Sequence, residues 1–218
     1  MAGKANRTGN KRALVVANGA FRVTASFRRA FAESALTVAC DGAAERLVAA
    51  GLWPDVVIGD GDSLSSELKV ALKGRFRRVR EQATNDLAKA LRYCARQGVA
   101  AVTVLGAAGR REDHLIGNVF RLLDFAAAFA ELQLVTPSGR FEAFAGRWSR
   151  ELPVGTSVSV FAAPGTAVTS EGFEWPLKGV RFSSPAEATL NRTNAPRVTL
   201  CAEGPALVYL VASKPRQS

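Results

Sequence analysis

Pro54-Asp55-Val56-Val57-Ile58-Gly59-Asp60-Gly61-Asp62-Ser63 passes within ten residues from an apolar run to a polar, glycine-bearing loop. Three β-branched residues in a row, with no polar alternation, read as a strand buried on both faces. In an extended chain residues i and i+2 point to the same side, so Asp60 and Asp62 are expected to present two carboxylates together at the strand's carboxyl end. Two such charges repel unless a cation lies between them, and magnesium carrying bound phosphates is the usual answer. The plainer alternative is an Asp-Gly turn in which Ser63 caps the next helix.

Working outward, residues 13–136 alternate short apolar runs with helical stretches. Leu14–Ala17, Leu36–Cys40, Val56–Ile58, Val102–Leu105 and Leu132–Val135 read as strands. Arg22–Glu33, Ala43–Ala50, Ser65–Lys73, Asn85–Gln97 and His114–Ala130 read as helices, with Leu87, Ala90, Leu91 and Cys94 on one stripe. Such alternation predicts an α/β domain with a mostly parallel sheet whose ligand loops lie at the strands' carboxyl ends. After the turn at Pro137-Ser138-Gly139, short strands punctuated by Gly155, Pro164-Gly165, Gly172, Gly179 and Gly204-Pro205 predict an all-β sandwich domain. The expected organisation is a basic flexible arm over 1–12, an α/β catalytic domain over 13–136 and a β-sandwich over 137–218.

The 218 residues are 48% hydrophobic and 22% charged, enough for folded domains and against wholesale disorder. No apolar run approaches the roughly 20 residues of a membrane span. The run Ala13–Ala17 is too short for a secretory core, and three widely separated cysteines suit reduced thiols in the cytoplasm. The net charge of +10 owes much to the first dozen residues and to Lys73–Arg80, which leaves polyanions open as partners. All seven aspartates lie in the first 124 residues, which places metal chemistry there.

Two further stretches could carry chemistry. In Gln82-Ala83-Thr84-Asn85-Asp86-Leu87-Ala88-Lys89, Thr84 or Asn85 can cap a helix, with Asp86 in its first turn and Lys89 one turn on. That is a sufficient structural account, and it also offers a carboxylate for metal and an ammonium for phosphate. Gly106-Ala107-Ala108-Gly109-Arg110-Arg111-Glu112-Asp113-His114 follows a strand and resembles an anion cradle, but it matches neither the P-loop nor the dinucleotide fingerprint. His114, the only histidine, excludes a multi-histidine metal site.

In order and wording, Ala39–Ala44, Gly51–Asp55, Gly59–Ser63, Asn85–Ala90 and Gly106–His114 resemble the serial motifs of the thiamine pyrophosphokinase (thiamine diphosphokinase) family. The resemblance runs from Val15 to Leu123 and continues weakly through Gly172–Leu177 and Thr193-Asn194. It implies ATP-dependent transfer of a pyrophosphoryl group to the hydroxyl of thiamine, with release of AMP, by a homodimer whose active sites lie near the subunit interface. It also implies that Asp60, Asp62 and Asp86 hold Mg2+ on the ATP phosphates. Gln82, Arg111 and Asp113 fall in segments lining the nucleotide and thiamine sites, and Trp175 and Asn194 match positions beside thiamine. Asp41, Asn85, Lys89 and His114 belong to the same motifs and join them as binding candidates. The chain departs from the family at Asp41-Gly42-Ala43 (usually Asp-Gly-Gly), at Asn85 (usually Thr) and at Gly109-Arg110 (usually a doubled glycine).

Asp113 could accept the hydroxyl proton, and its motif position suits substrate binding equally well. Composition alone favours Trp175 as a sandwich-core aromatic, while Pro176 disfavours a central strand there. Two competing functions stand beside this one. Another Mg-dependent nucleotide transferase could use the same aspartates. A non-enzymatic nucleic-acid-binding protein would explain the charge but not the clustered carboxylates, which repel phosphates when no metal is present.

Overall fold

The computed structural model describes residues 11–212; residues 1–10, most of the expected basic arm, lie outside the described residues. The chain divides into two compact units, one up to Asn118 and one from Val119 onward.

The first unit alternates strictly. Its elements are β1 (Arg12–Val16), α1 (Ala25–Glu33), β2 (Leu36–Cys40), α2 (Ala43–Ala49), β3 (Val56–Gly59), α3 (Ser66–Ala71), β4 (Phe76–Arg78), α4 (Asp86–Arg96), β5 (Ala101–Leu105) and α5 (Glu112–Arg121). The strands pair in parallel in the order β5-β1-β2-β3-β4. Leu14, Val16, Ala39 and Val57 project from one face into a cluster with Phe27, Leu47 and Leu68 of the first three helices and with Leu72 just after α3. α4 has no member in that cluster and packs on β1, β2 and β3, which leaves it the opposite face. Side-chain caps start the helices. Thr24, Ser65 and Asn85 accept the backbone N–H groups of Phe27, Leu68 and Ala88, so the chain turns into α1, α3 and α4 at defined residues.

One expectation for this unit needs correction, and one stretch holds a strand that the sequence reading did not include. The basic run Lys73–Arg80 contains a strand, because β4 adds in parallel to the edge of β3. Charged side chains are a common guard on an edge strand, so Arg77 and Arg78 have a structural account that requires no nucleic acid. The last helix is also shorter than His114–Ala130: α5 ends at Arg121 and a single 3-10 turn, Leu122–Phe125, follows.

The second unit is antiparallel. It comprises β6 (Glu131–Thr136), β7 (Gly139–Glu151), β8 (Ser157–Ala162), β9 (Ala167–Glu171), β10 (Val180–Arg181), β11 (Ala188–Arg192) and β12 (Arg197–Val211). β7 and β12 pair along nearly their whole length, broken only by a bulge between Ala202 and Ala206. The first half of β12 carries β9 and β10, and its second half carries β8 and β11. These arms close over Phe144, Trp148, Val160, Val168, Phe182, Leu200 and Val208, a sandwich core. Gly204-Pro205 therefore marks a bulge inside one long strand rather than a turn between two short ones, a place where proline costs no ladder hydrogen bond. β6 pairs antiparallel with β7 across the Pro137-Ser138 turn. The division between the two compact units falls within α5, and β6 belongs to the second of them. Among the described residues no helix is long and apolar enough to cross a membrane.

Candidate active site

The strand order locates the site. Successive strands step from β1 through β4 in one direction, while β5 returns to the other side of β1, so the loops after β1 and β5 diverge at a topological switch point. These loops are laced together by backbone bonds: the Gly19 and Ala20 amides donate to the Gly106 and Ala108 carbonyls at 2.6 and 2.7 Å. A cleft of about 340 Å³ opens there, walled by Ala17-Asn18-Gly19, Ala107-Ala108, Asn85-Asp86, Arg110-Arg111, His114 and Asn118, with Cys40 also on its lining. A Cβ on Gly19 would lie 2.4 Å from the Gly106 carbonyl oxygen and 2.6 Å from that of Ala108. Neither atom can rotate away. Gly19→Ala is thus expected to cost about 1–3 kcal/mol, read as a lower melting temperature, and to open the cleft wall.

The carboxylates come from three neighbouring strand and helix ends. Asp41, directly after β2, is 4% exposed and adopts a left-handed backbone, φ 26°. Its Oδ2 accepts the Ser63 amide at 3.1 Å, whereas its Oδ1 is buried and has no hydrogen-bond partner. Burial pushes its pKa up, and the negative fields of Asp86 and Asp60 add to the shift. Asp60 is held below its ordinary value chiefly by the Asp62 amide, which donates to its Oδ1 at 3.1 Å, with help from Gln82 Nε2 on Oδ2 at 3.4 Å. Asp86, at the first turn of α4, receives Lys89 Nζ at 3.1 Å, and that ammonium is almost wholly buried.

The extended arrangement expected for Asp60 and Asp62 does not occur. β3 ends at Gly59, and Gly61 at φ +84° folds the chain back so that Asp62 serves Asp60 as a donor. Among the described residues no group of three or more His, Cys, Asp or Glu side chains is gathered closely enough to hold a metal ion. Asp41 nevertheless feels the charges of Asp86 and Asp60, and the donor set of the three is all oxygen, the type a hard divalent cation prefers.

The opposite wall is basic. Arg111 grips Asp113 through Nε and Nη2, the Nε contact being 3.0 Å, and this pairing holds the exposed Asp113 carboxyl below its ordinary range. A carboxylate so stabilised is a poor proton acceptor. His114 lines the cleft and donates its backbone N–H to Asp113 Oδ1. Arg46, which sequence reasoning missed, lies 4.1 Å over the Phe21 ring and donates to the Gly19 carbonyl at 2.6 Å, bracing the loop from behind. Asn118 was missed as well; it bonds both Asn85 and the Ala107 carbonyl.

In the second unit Trp175 is 59% exposed, so it is not a core aromatic. Buried Asn191 holds its backbone from both sides, accepting from the Trp175 N–H at 3.2 Å and donating to its carbonyl at 2.7 Å. Asn194 donates from Nδ2 to the Phe173 carbonyl, a bond that shapes the loop carrying Trp175. A larger cleft, about 580 Å³, lies along β6 and β7. Two of its arginines, Arg140 and Arg150, are tied to the buried carboxylate of Glu142, so much of its positive charge is already neutralised.

Residues 27–135, half of the chain, match the family described as thiamin pyrophosphokinase, catalytic domain. Among solved structures the chain is similar to thiamine pyrophosphokinase from Bacillus subtilis, with a TM-score of 0.77 and 20% identity over 94% of this chain and 100% of that one. It is also similar to the Geobacillus thermodenitrificans enzyme, with a TM-score of 0.76 and 23% identity over 93% and 98% of the two chains. The Candida albicans enzyme gives 0.76 at 13% identity, over 94% and 90%. No curated protein sequence matches the chain.

Proposed function

This chain belongs to the thiamin pyrophosphokinase family of enzymes, and we propose that it draws the pyrophosphoryl group from ATP, giving thiamine diphosphate and AMP. The thiamine hydroxyl oxygen forms a bond to the β-phosphorus, the bridging bond between the α- and β-phosphates breaks, AMP departs and the hydroxyl proton is released. The observation that carries this reading is the buried, unpartnered Oδ1 of Asp41 within the fields of Asp60 and Asp86, beside a cleft whose other wall is basic. Unrelieved negative charge facing a polyphosphate calls for a cation, and Asp60, Asp62 and Asp86, with Asp41 added, are the residues to hold Mg2+. Bound there, the ion would neutralise phosphate oxygens.

The remaining work falls to the chain. Buried Lys89 keeps Asp86 oriented and adds positive charge at the α4 N-terminus. Arg110 and Arg111 face the phosphates from the loop after β5, and Gln82 steadies Asp60. Phosphoryl transfer passes through a loose transition state, so alignment and charge matter more than a strong base. Asp113, its proton affinity lowered by Arg111, suits substrate orientation better than proton abstraction. The second unit supplies Trp175, an exposed aromatic face suited to cationic thiamine, with Asn194 shaping its loop. A homodimer and a cytoplasmic setting complete the proposal; three free cysteines agree with the latter.

The test is chromatographic. Protein, Mg-ATP and thiamine are incubated together, and AMP and thiamine diphosphate should appear in equal amounts. ADP with thiamine monophosphate, or no thiamine product, would overturn the proposal.

A further inference from the structure

Resting on the function proposed above, we infer that Asn118 is a positioning residue: its side-chain amide fixes the spacing between the two walls of the cleft. The N-terminus of α4, with Asp86 and Lys89, forms one wall, and the Gly106–Gly109 loop, leading to Arg110 and Arg111, forms the other. Asn85 Nδ2 donates to Asn118 Oδ1 at 2.9 Å, and Asn118 Nδ2 donates to the Ala107 carbonyl at 3.3 Å.

The direction of this relay is set at both ends by backbone. Asn85 Oδ1 is committed to the Ala88 N–H at 3.0 Å, so only its Nδ2 remains to face Asn118. Asn118 must therefore accept at that end and donate to a carbonyl at the other. A primary amide meets both demands. An aspartate would turn a carboxylate oxygen toward the Ala107 carbonyl, and alanine would leave both ends unbridged. The Ala107 loop is itself bonded to Gly19 and Ala20, and Gly19 is held by Arg46. Asn118 thus joins α4 to the two loops of the strand switch point. A pyrophosphoryl group held between carboxylates on one wall and guanidinium groups on the other is sensitive to that spacing, since a misplacement of about 1 Å can cost on the order of 10²-fold in rate.

The experiment uses the full chain and the variants Asn118→Ala, Asn118→Asp, Asn85→Ser and Asn85→Ser/Asn118→Ala. Serine retains the helix cap but has no amide to donate, so Asn85→Ser separates capping from bracing. At saturating Mg-ATP and thiamine, kcat for thiamine diphosphate should fall about 10- to 100-fold in each single variant, with smaller changes in either KM. Asn118→Ala should then cost less than about twofold more in the Asn85→Ser background, because the relay is already broken. Amide exchange should quicken together in residues 86–90 and 107–110 of Asn118→Ala. Unchanged kcat in the folded single variants, or independent losses that multiply in the double variant, would overturn the brace. A wild-type protein that makes no thiamine diphosphate would refute the proposed reaction instead, and the exchange measurement would still decide whether the brace exists.

Discussion

Asp41→Asn should melt at a higher temperature than the wild type in metal-free buffer and yet turn over thiamine on the order of 10²-fold more slowly with Mg-ATP. The two effects have one cause. Asp41 carries a buried carboxylate with one oxygen unpartnered, and Asp86 and Asp60 press their charge on it. An amide removes the charge while its oxygen can still accept the Ser63 N–H. Asparagine also tolerates the left-handed backbone found there better than most residues. Because burial raises the Asp41 pKa in the folded state, the wild type is most stable, relative to the variant, in acid. As pH rises past the ordinary aspartate range and through the raised value, the wild type loses that stability and the variant does not. The gap in melting temperature should therefore open with rising pH and then level off. Adding Mg2+ should close it from the other side, since an ion that binds only the folded wild type raises its stability by mass action. Calorimetry across pH, with and without Mg2+, reads all three trends. A variant that melts lower than the wild type at neutral pH without metal, or that keeps full turnover, would sink the assignment.

The parallel unit was legible because most of its strands announce themselves locally. Val56-Val57-Ile58 is a continuous apolar run and Leu36–Cys40 nearly so, and Asn85 caps α4 as its type predicts, whereas α3 is capped by Ser65, two residues beyond the Ser63 that the sequence offered. What stayed hidden depends on pairings distant in sequence. β4 is three residues inside a basic run, and nothing local distinguishes an edge strand guarded by arginines from a charged loop. The switch point at β1 could not be read before the strand order was known, so nothing in the sequence marked Asn18-Gly19 as part of a cleft wall. Asn118 lies 33 residues from Asn85, on a helix with no unusual composition. Asp60 and Asp62 were found for a geometric reason that failed: the strand stops at Gly59, and the aspartates pair through a turn. In the antiparallel unit, glycine and proline punctuation suggested more and shorter strands than exist, because a bulge and a turn use the same residues.

Trp175→Ala should raise the KM for thiamine by about 30-fold while leaving the KM for ATP within about twofold and the melting temperature nearly unchanged. The sandwich-core reading would require the indole to be enclosed, and with 59% of the residue exposed, truncation removes little buried surface. What the structure does enclose is its backbone support. Buried Asn191 bonds both the N–H and the carbonyl of Trp175, and the neighbouring strand segments meet through the Phe173–Thr193 bridge. An exposed ring on a backbone pinned at both polar groups has lost little freedom to packing and is presented at a fixed place. Thiamine carries a positive thiazolium, and a cation over an indole is worth about 2 kcal/mol once water is excluded, which is roughly 30-fold in affinity. On the function proposed above, ATP would be held by charge in the first unit and would have no use for the ring. Asn191→Ala is the companion experiment: it should also raise the thiamine KM, but through a loosened loop and with a lower melting temperature, because it leaves buried polar groups unpaired. If Trp175→Ala leaves the thiamine KM unchanged, Trp175 is not part of the substrate site, and its exposure belongs to some other contact.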